Sequence, residues 1–166
     1  MMRIDTLEDL YLEQLKDIYS ANEQALDITK KMTDAASDAD LGNALQAGAG
    51  SIRGGLAALE QMAQRHDEHL GGALCKGMKG LAIEAHAQAL AQPFGDPATK
   101  DAMIITQFQH LAHYAIAGYG CLIAFADRLE LDDDLASLKD CLDAAYVTDR
   151  TMTQLATGRR SNDART

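Results

Sequence analysis

Two histidines three residues apart, His110 and His113, are the side chains that most directly suggest metal chemistry. Residues at this spacing share one face of a helix, so both imidazoles could reach the same cation. Asp149, from a later segment, could add a carboxylate oxygen as third ligand. Such a site would suit a metal-dependent oxidase or a peroxide-handling protein. The alternative is that His113 makes a hydrogen bond at a helix interface.

The other reactive groups lack the neighbours that catalysis needs. The cysteines Cys75, Cys121 and Cys141 are far apart and form no Cys-x-x-Cys pair. This pattern favours reduced, buried thiols in a cytoplasmic protein. Only Cys75 has an adjacent basic residue, Lys76, that could activate it. We therefore expect packing at Cys75 and no catalytic residue in the chain.

Composition limits the classes of partner. The chain has 166 residues, 47% of them hydrophobic, and a formal net charge of −10. A strongly acidic chain is a poor match for nucleic acid or an anionic membrane, because phosphate binding needs clustered Lys and Arg. No apolar run approaches the roughly 20 residues that a membrane span needs. We expect a cytoplasmic protein with no nucleic-acid or membrane partner.

Apolar residues spaced three and four apart predict two long helices before residue 67. Thr6 and Asp9 have the pattern of a capping box at the start of the first. Ser37 or Asp38 could cap the second, which ends near His66. The predicted inward positions are Tyr11, Leu15, Ile18, Asn22, Ala25, Thr29 and Met32 in the first helix, and Leu41, Leu45, Gly48, Ile52, Gly55, Leu59 and Met62 in the second.

The rest of the chain predicts a short helix and two further long ones. The short helix covers about residues 75–91, and Asp96 followed by Pro97 marks the start of the third long helix. The acidic run 132–134 suits the start of the fourth, because it opposes the helix dipole. The predicted inward positions are Ile105, Phe108, Ala112, Ala115, Tyr119, Leu122, Ala126 and Leu129, then Leu135, Leu138, Leu142, Ala145, Asp149, Met152 and Ala156.

Four long apolar stripes and one extra helix define the expected architecture. They predict an all-α, ferritin-like antiparallel four-helix bundle, with the short helix in the long crossover between the second and third bundle helices. We expect a single domain over residues 1–157 and a disordered tail over residues 158–166. Four glycines, Gly48, Gly50, Gly54 and Gly55, leave open whether the second helix is continuous, since each costs about 1 kcal/mol relative to Ala.

A metal centre in such a bundle would lie at mid-height. Two-metal bundles of this class take one Glu from each of two helices and a Glu-x-x-His from each of the other two. This chain has seven glutamates and no Glu-x-x-His. The predicted mid-height residues are Asn22, Gly48 with Ser51, Ala112 with Ala115, and Ala145 followed by Asp149.

Several segments in order resemble the YciE/YciF-type family of bacterial stress proteins. They are Asp17-Ile18-Tyr19-Ser20-Ala21, Cys75-Lys76-Gly77-Met78-Lys79-Gly80-Leu81, His113-Tyr114, Ile116-Ala117-Gly118-Tyr119-Gly120 and Thr148-Asp149. The resemblance covers roughly residues 6–157. It implies a ferritin-like fold and a homodimer, and some members of that family carry a di-iron-type centre.

The departures from the family pattern fall together at that centre. The family has Ala-Glu at Ala21-Asn22, and a His and a Glu at Gly48 and Ser51. It has Glu-His-Tyr-Glu where this chain reads Ala112-His113-Tyr114-Ala115, and two glutamates at Ala144-Ala145. The comparison therefore predicts vestigial ligand positions at Asn22, Gly48, Ser51, Ala112, Ala115, Ala144 and Ala145, with no metal or other cofactor bound.

These departures lead to one functional hypothesis and two alternatives. The hypothesis is a metal-free structural or stress-associated protein without catalytic activity, whose di-iron site has degenerated. Carboxylates buried without a cation are costly by several kcal/mol each, so small neutral replacements would stabilise a metal-free fold. One alternative is an oxidase or peroxide-handling protein that uses His110, His113 and Asp149. The other is a carrier that holds a small apolar ligand in the space left by Gly and Ala.

Overall fold

The computed structural model describes residues 3–158, and all regular elements in that range are helical. The long helices are α1 (Leu7–Ala35), α2 (Ala39–Arg65), α4 (Pro97–Arg128) and α5 (Asp132–Ala156), and the crossover contains α3 (Lys76–Ala85) and a π-helical segment (His86–Ala91). The predicted all-α class is confirmed. Of the tail predicted at 158–166, only Gly158 lies within the described residues.

The helix starts follow from short polar side chains. Thr6 and Asp9 form the predicted capping box, with bonds of 3.0 and 2.9 Å from the backbone N–H of each residue to the side chain of the other. Asp38, rather than Ser37, caps α2, and Asp96 caps α4 immediately before Pro97. Each cap satisfies a backbone N–H that lacks a partner within its own helix.

Two hydrophobic clusters show how the four long helices are arranged. One cluster joins the beginning of α1 to the ends of α2 and α4 and to the beginning of α5. The other joins the end of α1 to the beginnings of α2 and α4 and to the end of α5. Neighbouring helices are therefore antiparallel. Because α1 packs mainly against α2 and α4, it lies diagonally opposite α5. The predicted bundle is confirmed, and none of the described helices could cross a membrane.

The crossover helix is fixed to α1 and α4 by polar contacts around Cys75. The Cys75 backbone N–H donates to Ser20 Oγ at 3.0 Å, and its Sγ lies 3.0 Å from Tyr114 Oη. Tyr114 Oη also donates to Asp17 at 3.1 Å. Burial, the Cys75 contact and the Asp17 charge raise the pKa of Tyr114. Cys75 is 1% exposed, in agreement with the packing role expected for it.

The second helix is continuous through its glycines. A Cβ at Gly48 would lie 2.8 Å from Phe108 Cζ, and one at Gly55 would collide with the Tyr119 hydroxyl. Gly54 instead faces open space. Two side chains of α4 therefore need Gly48 and Gly55 for their close approach to α2, and this packing offsets the cost of glycine in a helix.

The predicted inward stripe of α5 needs correction. Asp149 and Leu135 were expected to face the core, but the fully buried residues are their neighbours Thr148 and Asp134, together with Leu138 and Met152. Ala156 is exposed. The observed and predicted stripes share Leu138 and Met152, and they differ by one residue at Asp134 and at Thr148. Because steps of three and of four residues both keep to one helix face, periodicity alone did not distinguish the two sets.

Candidate functional site

Six of the seven predicted vestigial positions line one cavity at mid-height of the bundle. They are Asn22, Gly48, Ser51, Ala112, Ala115 and Ala145. The cavity has a volume of about 40 Å³ and lies between the two hydrophobic clusters. The seventh position, Ala144, lines an adjoining groove on the surface between α2 and α5. The structure therefore brings these six positions, which come from all four long helices, together around one cavity.

Two aromatic side chains of α4, Phe108 and Tyr119, lie buried at this height. The ring of Phe108, 3% exposed, lies directly against the Gly48 backbone. Asn22, 2% exposed, donates from Nδ2 to Tyr119 Oη at 2.7 Å. Burial raises the pKa of Tyr119, so the phenol stays protonated at neutral pH. This bond pairs an Asn22 N–H with the Tyr119 oxygen across the interface of α1 and α4.

The polar groups of the cavity do not fit a di-iron centre. Its walls offer an amide at Asn22, hydroxyls at Ser51, Tyr119 and Thr148, and a thiol at Cys141. Burial raises the pKa of that thiol, which disfavours the thiolate that would bind a metal. Iron centres of this class require carboxylates and imidazoles. Within residues 3–158, no three His, Cys, Asp or Glu side chains form a group able to hold a metal ion.

The three alternative ligands lie on the outer face of α4 and α5, away from the cavity. His113 Nε2 is 3.0 Å from Asp149 Oδ1, and Gln109 Nε2 donates to the same oxygen at 3.2 Å. The His113 side chain is 62% exposed. His110 is also exposed and does not complete a group of three ligands with this pair. The hydrogen bond considered for His113 at a helix interface is the arrangement found.

A buried carboxylate at one end of the bundle was missed by the sequence reading. Asp134 of α5 is 2% exposed. Its Oδ2 lies 2.7 Å from Tyr11 Oη and 2.6 Å from His66 Nε2. Its Oδ1 accepts from Arg65 Nε at 2.7 Å and Nη2 at 2.6 Å. We call Tyr11, Arg65, His66 and Asp134 the end cluster; it joins α1, the end of α2 and the start of α5.

Electrostatics in the end cluster favour the ionised carboxylate. Burial alone would raise the pKa of Asp134, but hydrogen bonds from His66, Tyr11 and Arg65 together with the Arg65 charge outweigh it and lower the pKa. Burial and the contact with Asp134 raise the pKa of Tyr11, so Tyr11 remains a hydrogen-bond donor. The cluster is a structural network in which the two oxygens of Asp134 together have four polar contacts.

A sequence signal for the end cluster did exist. Asp134 stands four residues before Leu138, on the same stripe as Thr148 and Met152. An aspartate on an apolar stripe indicates a buried carboxylate that needs partners. The adjacent Asp132 and Asp133, both exposed, masked the signal because three acids at a helix start already have a local explanation. No sequence signal identified Tyr11 and Arg65 as the partners.

A family model described as "Domain of unknown function (DUF892)" matches residues 6–165. Protein YciF of Escherichia coli K12 is 29% identical over 156 residues, which cover 93% of each chain. The resemblance to the YciE/YciF-type family, first drawn from short segments, is therefore confirmed.

Two solved structures are similar along nearly the whole length. The crystal structure of the E. coli stress protein YciF has a TM-score of 0.87 and 28% identity, and covers 94% of this chain and 98% of its own. YcfI, described as a putative structural protein from Rhodopseudomonas palustris, has a TM-score of 0.85 and 31% identity, and covers 90% of this chain and 94% of its own.

Proposed function

We propose that this chain, which belongs to the DUF892 family, is a metal-free structural protein associated with stress and has no catalytic activity. In this proposal the centre of the bundle has no catalytic or metal-binding role. The side chains that meet there hold four helices together and neither bind an ion nor react with a substrate.

The observation that carries the proposal is the neutral mid-height layer. Phe108 packs on Gly48, and Asn22 bonds to Tyr119, at the height where the family pattern has carboxylates. Each buried carboxylate without a cation costs several kcal/mol, and any cation needs several of them. A bundle that binds no metal is therefore more stable with neutral residues at these positions, and a bundle with neutral residues there cannot hold the metal.

The names of the relatives support the broader part of the proposal. One is called a stress protein and another a putative structural protein. Neither name mentions a reaction. All three cysteines are unpaired in the described chain, which supports a cytoplasmic location because disulfides are rare there.

The proposal includes a homodimer. Its structural support is a set of large apolar side chains that lie exposed on the described surface. Leu74 and Ile83 in the crossover are 53% and 61% exposed, and Tyr146 and Val147 on α5 are 40% and 55% exposed. Light scattering coupled to gel filtration should give twice the mass of one chain. A single-chain mass at micromolar concentration would contradict the proposed homodimer.

Metal analysis tests the central claim. Purified protein is incubated with Fe(II) or Mn(II) without oxygen, passed through a desalting column and analysed by atomic emission. We expect no retained metal above the level of a buffer control. About two equivalents per chain, the loading of an intact di-iron bundle, would refute the proposal.

A matched variant shows that the assay can detect a site. Asn22→Glu, Ser51→Glu, Ala112→Glu and Ala115→Glu together return carboxylates to cavity positions on three helices. Far-ultraviolet circular dichroism first establishes that this variant is folded. We expect it to retain metal that the natural chain does not, because converging carboxylates are the ligands that such cations prefer.

A further inference from the structure

The mid-height cavity is too small for most ligands but large enough for a very small one. Its volume of about 40 Å³ exceeds the ~10–15 Å³ that one water molecule requires. It is roughly a quarter of the ~150 Å³ engineered cavity that binds benzene. A guest of two or three heavy atoms would therefore fit, and an aromatic ring would not.

The walls of the cavity are mainly carbon. Ala25, Ile52, Phe108 and Leu111 contribute apolar surface, and the Ala positions at mid-height add methyl groups. None of its lining residues carries a formal charge. The two largest polar side chains, Asn22 and Tyr119, are bonded to each other. The bond between Asn22 and Tyr119 can persist beside an apolar guest, whereas an ion would lose its hydration without compensation.

The cavity also has a neighbouring route from the surface. The groove between α2 and α5 is lined by Gly54, Ala58 and Ala144, and it shares Ser51 and Cys141 with the cavity. Cys141 is half-buried, and a Cβ at Gly54 would contact nothing within 4 Å. Small side chains on both helices therefore leave room for a small molecule to approach between them.

We propose that the mid-height cavity is a binding site for a small apolar molecule of two or three heavy atoms, of the size of dioxygen, which reaches it through the groove between α2 and α5. The inference rests on the proposed metal-free centre, because a cation with its ligands would fill the same space. Binding is through dispersion contacts with the cavity walls.

Xenon is the probe for this site, because it binds apolar cavities and needs no polar partner. The xenon NMR chemical shift is measured against protein concentration, in buffer with a chelator. We expect a concentration-dependent shift for the natural chain. It should be lost in Ala145→Val, which narrows the cavity, and retained in Ala136→Val, which adds the same volume to the exposed face of α5.

A second pair of measurements tests the size limit. Benzene should leave the melting temperature of the natural chain unchanged and should raise that of Phe108→Ala, whose cavity gains the space of a ring. If Ala145→Val does not fold, Ala112→Val replaces it on α4. Benzene binding to the natural chain would overturn the inference. So would a xenon shift of the natural chain that is no larger than that of the narrowed variant.

The metal assay and the xenon assay fail independently. Retained iron would refute the metal-free function, while the chelated protein could still show the xenon shift. Absence of the shift with no retained iron would refute the cavity as a binding site and leave the structural function intact.

Discussion

At mid-height the bundle meets a polar requirement with neutral side chains, while one end of the same bundle buries a carboxylate. Asn22 donates to the neutral phenol of Tyr119. Asp134 needs a phenol, a guanidinium and an imidazole from two other helices. Both regions are buried, so burial alone did not decide which kind of polar group remained.

The difference lies in whether protein side chains can compensate the charge. The charge of a single carboxylate can be compensated by hydrogen bonds from one Arg, one His and one Tyr near the ends of the helices. Several carboxylates facing one another at mid-height would need cations instead. The buried acid of this bundle therefore lies where its partners belong to the chain itself.

The largest effect should come from removing the aromatic ring at mid-height. Phe108→Ala should lower the free energy of unfolding by about 4 kcal/mol, because a fully buried ring is lost and a cavity is left. Urea denaturation followed by circular dichroism measures it. Phe108→Leu, which keeps most of the volume, should cost much less. A loss below about 1 kcal/mol in Phe108→Ala would show that the layer is not closely packed.

Removing the buried acid of the end cluster should have the next largest effect. Asp134→Ala should cost about 3 kcal/mol, because Arg65 and Tyr11 lose the group that satisfies them. The neighbouring exposed Asp133 provides the control, and Asp133→Ala should cost about 0.5 kcal/mol through the helix dipole. Equal losses in the two variants would mean that the end cluster adds nothing beyond helix capping.

The end cluster should also make stability depend on acid pH. The pKa of Asp134 is lowered in the folded protein, so the unfolded chain takes up its proton first as the pH falls. The stability contributed by ionised Asp134 is complete above about pH 5. It is lost as the pH falls below about 4 and then through the lower pKa that Asp134 has in the folded protein. The difference in unfolding free energy between the natural chain and Asp134→Asn should shrink over that range. A difference that stays constant from pH 7 to pH 3 would contradict this assignment.

The smallest effect is expected where both partners are removed at mid-height. Asn22→Leu together with Tyr119→Phe should change the free energy of unfolding by less than about 1 kcal/mol, because no buried polar group of the pair is left without its partner. Asn22→Leu alone should cost about 1–2 kcal/mol by leaving the Tyr119 hydroxyl unsatisfied. A double variant less stable than this single variant would show that the neutral layer is not replaceable.

Much of the fold could be predicted because its signals are local. The capping box at Thr6 and Asp9, and Asp96 before Pro97, gave the helix starts to within a residue. The mid-height positions could also be placed, because the spacing fixes the inward face of each helix and the predicted helix ends fix its middle. The α5 register could not, because Asp134 and Leu135 both suit a stripe of the same period.

The amino-acid sequence by itself determined the number and limits of the helices and the neutral character of the bundle centre, because spacing, capping residues and side-chain charge are written in it directly. Tertiary structure alone decided that Phe108 packs on Gly48, and that Tyr11 and Asp134, 123 residues apart, share a hydrogen bond. Such pairings depend on how helices rotate and approach one another, and the energy of that packing is summed over the whole bundle.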